Sequence, residues 1–154
     1  MKRWITIILV LVLAFSLAGC KKTRKQEHAE GMVGGESTRI ISDVLEMTFV
    51  EEDEKTGDLL FEIRNPHDNL YVYGYGTVIE VLIDGVWYTT EYGAPDAPAG
   101  EINIHPGTTN TWVATLFNDP PVGTYRIVLL EVWAYDESNT RPEYQSIAAE
   151  FILE

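Results

Sequence analysis

The chain has 154 residues, 24 acidic against 11 basic side chains and a formal charge of −13, with a single cysteine. One cysteine excludes an intramolecular disulfide and is too few ligands for a cysteine metal site. From Arg39 onward 21 carboxylates face five cationic side chains (Arg39, Lys55, Arg64, Arg126, Arg141), a formal −16 that excludes a nucleic-acid partner, because neutralising phosphates needs the opposite sign.

The N-terminus carries Lys2 and Arg3 before the uncharged apolar run ITIILVLVLAFSLAG. A positive leader, an apolar stretch and a small-residue stop have the layout of an export signal. The run is shorter than the ~20 residues that a helix needs to cross a bilayer, so a permanent span is the weaker reading. Its last residues, Leu17-Ala18-Gly19-Cys20, resemble the lipobox of bacterial lipoproteins. That resemblance implies a diacylglyceryl group on Cys20 Sγ and cleavage before it, which divides off 1–19 as a signal peptide. Two or more acyl chains, at ~0.8 kcal/mol per buried CH₂, anchor a protein where one is marginal. The expected location is therefore the outer face of the cell membrane.

Residues 20–38 are expected to hold the lipidated cysteine and a flexible tether, since KKTRKQEHAEGMVGGEST has no apolar periodicity. Its basic first half either attracts anionic headgroups or serves as a solubilising spacer. A coil of this length reaches about 20–25 Å from the membrane.

Beyond it, 39–154 reads as one domain with a period of two. VLEMTFV and DLLFEIR each place alternate apolar residues on one face, with the exposed turn EEDEKTG between them. GTVIEVLIDGVWYTT holds two strands joined at Asp84-Gly85, a dipeptide suited to a tight hairpin. TTNTWVATLF, GTYRIVLLEVWAY and SIAAEFILE complete about seven strands, and no segment carries a helical stripe. An all-β sandwich of antiparallel strands is the expected fold. Both faces of YRIVLLEVW are apolar, which suggests a central strand covered on each side, or one with a bulge.

The order FEIRNPHDNLYVYGYGTVIEVLIDGVWY, INIHPGTTNTWVATL, DPPVGTYRIV resembles the bacterial Ig-like domain common in exported Gram-positive proteins. The shared features are a strand ending in Asn, a Y.YG segment, a DG.WY hairpin, an I.PG.T turn and a PPG.YRI strand start. Val122 inserted in the Pro-Gly turn and the long APDAPAGE loop depart from that pattern. The resemblance implies an Ig-like sandwich and no shared catalytic residues. Tyr125 stands where Ig sandwiches place a tyrosine that fastens a corner to backbone. Ile127 occupies the position of a disulfide cysteine in antibody domains, so its packing against Phe61 and Ile63 is expected to replace that bond.

Candidates for chemistry are sparse. Glu51-Glu52-Asp53-Glu54 lacks the spacing of a calcium loop and reads as a solvated turn. His67 and His105 have no partner histidine at i+2 or i+4 and read as surface residues. No catalytic residue, metal or cofactor is expected, and the chain does not read as an enzyme. Tyr71, Tyr73 and Tyr75 alternate in NLYVYGYG, and together with Tyr92 in EYGAPDAPAGE they form a candidate binding surface; the alternative is that the alternating rings cover the end of the sandwich. The leading expectation is a monomeric, non-catalytic, lipid-anchored module that engages an envelope protein or glycan. An accessory subunit of a hydrolase, or a hydrolase without a recognisable motif, is the second reading.

Overall fold

The computed structural model describes residue 28 and residues 31–74, 76–93, 100–136 and 143–154. Among the described residues, ten strands form two antiparallel sheets. They are β1 (Val33–Glu36), β2 (Glu46–Glu52), β3 (Asp58–Arg64), β4 (Tyr71–Gly74), β5 (Thr77–Ile83), β6 (Val86–Thr90), β7 (Glu101–Ile104), β8 (Thr109–Thr115), β9 (Gly123–Ala134) and β10 (Gln145–Leu153). The smaller sheet runs β2-β3-β8. The larger is organised around β9, which pairs with β10 along one side and with β5 and then β4 along the other; β6 and β1 extend it beyond β5, and β7 beyond β4. Among the described residues no helix is long and apolar enough to cross a membrane.

The period-two pattern decides which side chains meet. Leu59, Phe61 and Ile63 of β3 face Tyr125, Ile127 and Leu129 of β9 within one core cluster, each at most 1% exposed. Phe61 and Phe151 meet edge to face at 5.8 Å, and Tyr125 stacks on Phe151 at the same distance. Ile127, Phe61 and Ile63 therefore belong to one aliphatic and aromatic core, as expected of a sandwich without the inter-sheet disulfide. At the hairpin, Asp84 (φ 51°) and Gly85 (φ 83°) are both left-handed, the backbone that a two-residue antiparallel turn requires.

All seven expected strands are present, and three more were not expected. β1 lies inside the stretch read as tether, so the ordered domain begins upstream of Arg39. It binds the edge of β6 through its backbone, and Gly34 fits there because it lacks a side chain: a Cβ on it would lie 2.6 Å from Thr89 Oγ1. Such a strand has no apolar alternation to detect. β4 and β7 are four residues long, too short for a clear period.

Of the two alternatives left open for β9, both apply: it is buried on both faces over residues 125–129, and it carries a bulge further on. Its partners on β10 step from Leu129↔Ile147 to Val132↔Gln145, three residues against two, and Glu131 in between has φ 58°. Side chains alternate as Tyr125, Ile127 and Leu129 inward before the bulge and Val132 inward after it. The extra residue therefore turns Trp133 and Tyr135 outward, where uninterrupted alternation would have sent them into the core.

Candidate functional site

The tyrosines singled out from the sequence are interior. Tyr71, Tyr73 and Tyr92 are 8%, 1% and 1% exposed and belong to the core cluster, so they line the sandwich and do not form a binding surface. Tyr73 meets Trp112 of the opposite sheet edge to face at 6.0 Å, and its hydroxyl accepts a hydrogen bond from Asn110 Nδ2 at 3.2 Å. Tyr71 lies 5.8 Å from the ring of His67. Tyr92 packs on Tyr125, and its hydroxyl is 2.9 Å from His28 Nδ1. Alternation identified a shared face; a buried polar ring with a partner for its hydroxyl gives the same sequence pattern as an exposed one. Tyr75, Cys20, the apolar run before it and most of the APDAPAGE loop lie outside the described residues.

Tyr125 makes the corner expected of it, its hydroxyl donating to the Pro121 carbonyl at 2.6 Å. Burial, with Tyr92 alongside as a lesser cause, pushes the phenol well above its ordinary value of 10.0. Asn65, fully buried at the end of β3, donates to the carbonyls of Asn69 and Ile104 and accepts from the backbone of His67. It thus ties the β3–β4 connection to β7.

The most charged interior feature escaped the sequence reading. Glu80 of β5 is wholly buried on the face of the large sheet that points away from the core. One carboxylate oxygen accepts from Arg126 Nε at 2.7 Å and Nη2 at 2.6 Å; the other accepts from Ser37 Oγ at 2.6 Å and Arg39 Nε at 3.1 Å. Arg126 also lies over the Trp87 ring at 4.4 Å. Residues 37–42 cover this half of the face, tied at one end by Ser37 N to the Trp87 carbonyl and at the other by Ser42 N to the Ser146 carbonyl. A Glu inside VIEVLI and an Arg inside YRIVLL, each in an otherwise apolar strand, were the available signal. The network is a structural clasp, with every lone pair accounted for.

The other half of that face, over β4, β7 and the end of β9, is not reached by these ties. Here Trp133 and Tyr144 meet edge to face at 5.3 Å, with Tyr144 59% and Tyr135 50% exposed. Tyr135 N donates to the Leu70 carbonyl, joining the β9 end to the β3–β4 connection. Among the described residues no group of three or more His, Cys, Asp or Glu side chains is placed to hold a metal ion. In the acidic turn, Asp53 Oδ1 accepts from Lys55 N and Thr56 N, which spends that carboxylate on backbone. Asp58 is held below its ordinary value by the Thr115 hydroxyl first and Thr56 second.

Two antiparallel sheets, a tyrosine corner and a core spanning both inner faces define an immunoglobulin-like β-sandwich. The chain belongs to the bacterial Ig-like domain family, whose model matches residues 42–145. Neither the curated proteins nor the solved structures yield a match.

Proposed function

We propose that this chain is a lipid-anchored Ig-like module of the bacterial cell envelope, held on the outer face of the membrane through Cys20 and binding a partner there without catalysing a reaction. The observation that carries the reading is a bacterial Ig-like domain, matched from residue 42, in one chain with Leu17-Ala18-Gly19-Cys20 at the end of an apolar leader. The basic stretch from Lys21 to Lys25 suits the zone beside anionic headgroups, while the acidic domain is repelled from the same surface. That division of charge favours a domain standing off the membrane, with its loops and outer faces open to a partner.

Cross-linking on intact cells tests the reading. A short amine-reactive or photoactivated cross-linker should trap a discrete adduct between this chain and an envelope component. Recovery of the monomer alone, at expression levels where the chain is membrane-bound, would count against an interaction role. Turnover of ester, peptide or glycan substrates that co-purifies with the protein would replace it with an enzymatic one.

A further inference from the structure

We infer that β1 and the residues that lead into it form a releasable arm of the tether, which peels from the edge of β6 while residues 37–42, the strap, stay clasped on Glu80 and stop the opening there. The inference rests on the anchor at Cys20 proposed above and adds how far from the membrane the domain can work.

The arm and the strap differ in what their opening costs. In the arm, Gly34, Gly35 and Glu36 are exposed. They are held on β6 by the edge ladder and by Thr89 Oγ1, which donates to the Gly35 carbonyl at 3.3 Å. Met32 and Val33 at its head are partly buried against the core, and the Met32 carbonyl accepts from Glu91 N. Opening the arm uncovers backbone groups at a sheet edge, which water satisfies, and frees two glycines, the residues that lose most conformational freedom when held.

The strap is tied to the interior. Ser37 Oγ and Arg39 Nε give two of the four hydrogen bonds of the wholly buried Glu80 carboxylate. Ser42 is bound twice to β10, its N to the Ser146 carbonyl at 2.7 Å and its Oγ to Gln145 Oε1 at 2.6 Å. Lifting the strap strips partners from a buried charge, a larger loss than an edge ladder in water. Local opening begins with the least firmly held unit, so the arm opens first and the clasp is the stop.

Chain length turns that order into reach. From Cys20 to a docked His28 there are eight residue spacings, at most about 29 Å of fully extended chain. From Cys20 to Ser37, with the arm released, there are seventeen, at most about 60 Å. The domain therefore gains about twofold reach without disturbing the fold behind Glu80. A short edge strand with two central glycines, placed ahead of the segment that the family model matches from residue 42, suits that use.

Hydrogen exchange by NMR on the full ¹⁵N-labelled chain in neutral detergent reads the two units separately. The Glu91 amide, bonded to the Met32 carbonyl, reports the arm, and the Ser42 amide, bonded to the Ser146 carbonyl, reports the strap. Protection at Glu91 should be at least about tenfold below that at Ser42. Gly34→Val, whose Cβ would lie 2.6 Å from Thr89 Oγ1, should abolish protection at Glu91 and leave Ser42 protected, with a melt close to wild type. Equal protection of the two amides in wild type, or its loss at both in Gly34→Val, would show one cooperative unit and overturn the inference. Reach is read on liposomes bearing the acylated chain, by energy transfer to acceptor lipids from a dye on Asp84→Cys in the exposed hairpin turn. Gly34→Val should lose part of that transfer; equal transfer with and without it would overturn the gain in reach. A chain that carries no acyl group and does not hold to liposomes sinks the anchor alone, since the exchange data still decide the order of opening.

Discussion

Replacing Arg126 by Met should be among the most damaging single changes to this domain. Arg126 gives Glu80 two of its four hydrogen bonds, and the carboxylate it serves has no exposed surface. Breaking a buried ion pair from one side typically costs ~3–5 kcal/mol, because a charge is left without its partner. Arg39 and Ser37 still hold the other oxygen, which places the cost near the lower end, and loss of the guanidinium over Trp87 returns about 0.5–1 kcal/mol to the penalty. With unfolding entropy near ~2.1 cal/mol/K per residue over about 120 residues, each kcal/mol moves Tm by about 4 °C, so a fall of roughly 12–16 °C is expected. The double variant Glu80→Leu, Arg126→Met removes both charges and should recover at least half of that loss, since apolar replacements of buried pairs are often near neutral. Thermal melts by circular dichroism on wild type, both single variants and the double variant close the cycle. A shift under about 3 °C for Arg126→Met, or a double variant worse than the two single changes added, would refute the clasp.

Two further changes probe the corner and the ring face. Tyr73→Ala should behave as a large-to-small core substitution costing ~3–5 kcal/mol, read as a Tm loss on the order of 12–20 °C; an unchanged melt would return the ring to the surface. Tyr125→Phe should cost about 1 kcal/mol at neutral pH through the lost bond to Pro121. It should also flatten the alkaline limb. A phenol whose pKa is raised by folding contributes stability that is fully present below its unfolded value of 10.0 and declines as pH rises beyond it, so wild type should lose more stability above pH 10.0 than the Phe variant. Parallel limbs in denaturant titrations would contradict that assignment.

How far the sequence spoke depended on whether side chains or backbone held each element. β3 coincides with DLLFEIR, and the β5–β6 hairpin turns at Asp84-Gly85, because alternation and turn chemistry are written in side chains. Tyr125 and its corner were likewise legible. β1 was not, since Val33-Gly34-Gly35-Glu36 is held by an edge ladder that needs only backbone. In β4 the tyrosine alternation was correct in period and silent on which side was interior, a question settled by Trp112 and Asn110 on another strand. The outward-facing aromatics at the end of β9 were missed for a related reason. VWAY reads as the continuation of β9's inner row until the residue added at Glu131 exchanges the faces. The Glu80 clasp depended on a segment more than 40 residues away, Ser37 to Arg39, folding back over the sheet, and nothing local announces that.

The central claim, an Ig-like module tied to the membrane by its single cysteine, is tested most directly by metabolic labelling of cells with an alkyne-bearing palmitate analogue, followed by fractionation. Wild type should carry the label and sediment with membranes, whereas Cys20→Ser should carry none and leave that fraction or remain as uncleaved precursor. Equal labelling of the two proteins, or an unlabelled wild type released to the medium, would contradict the anchor.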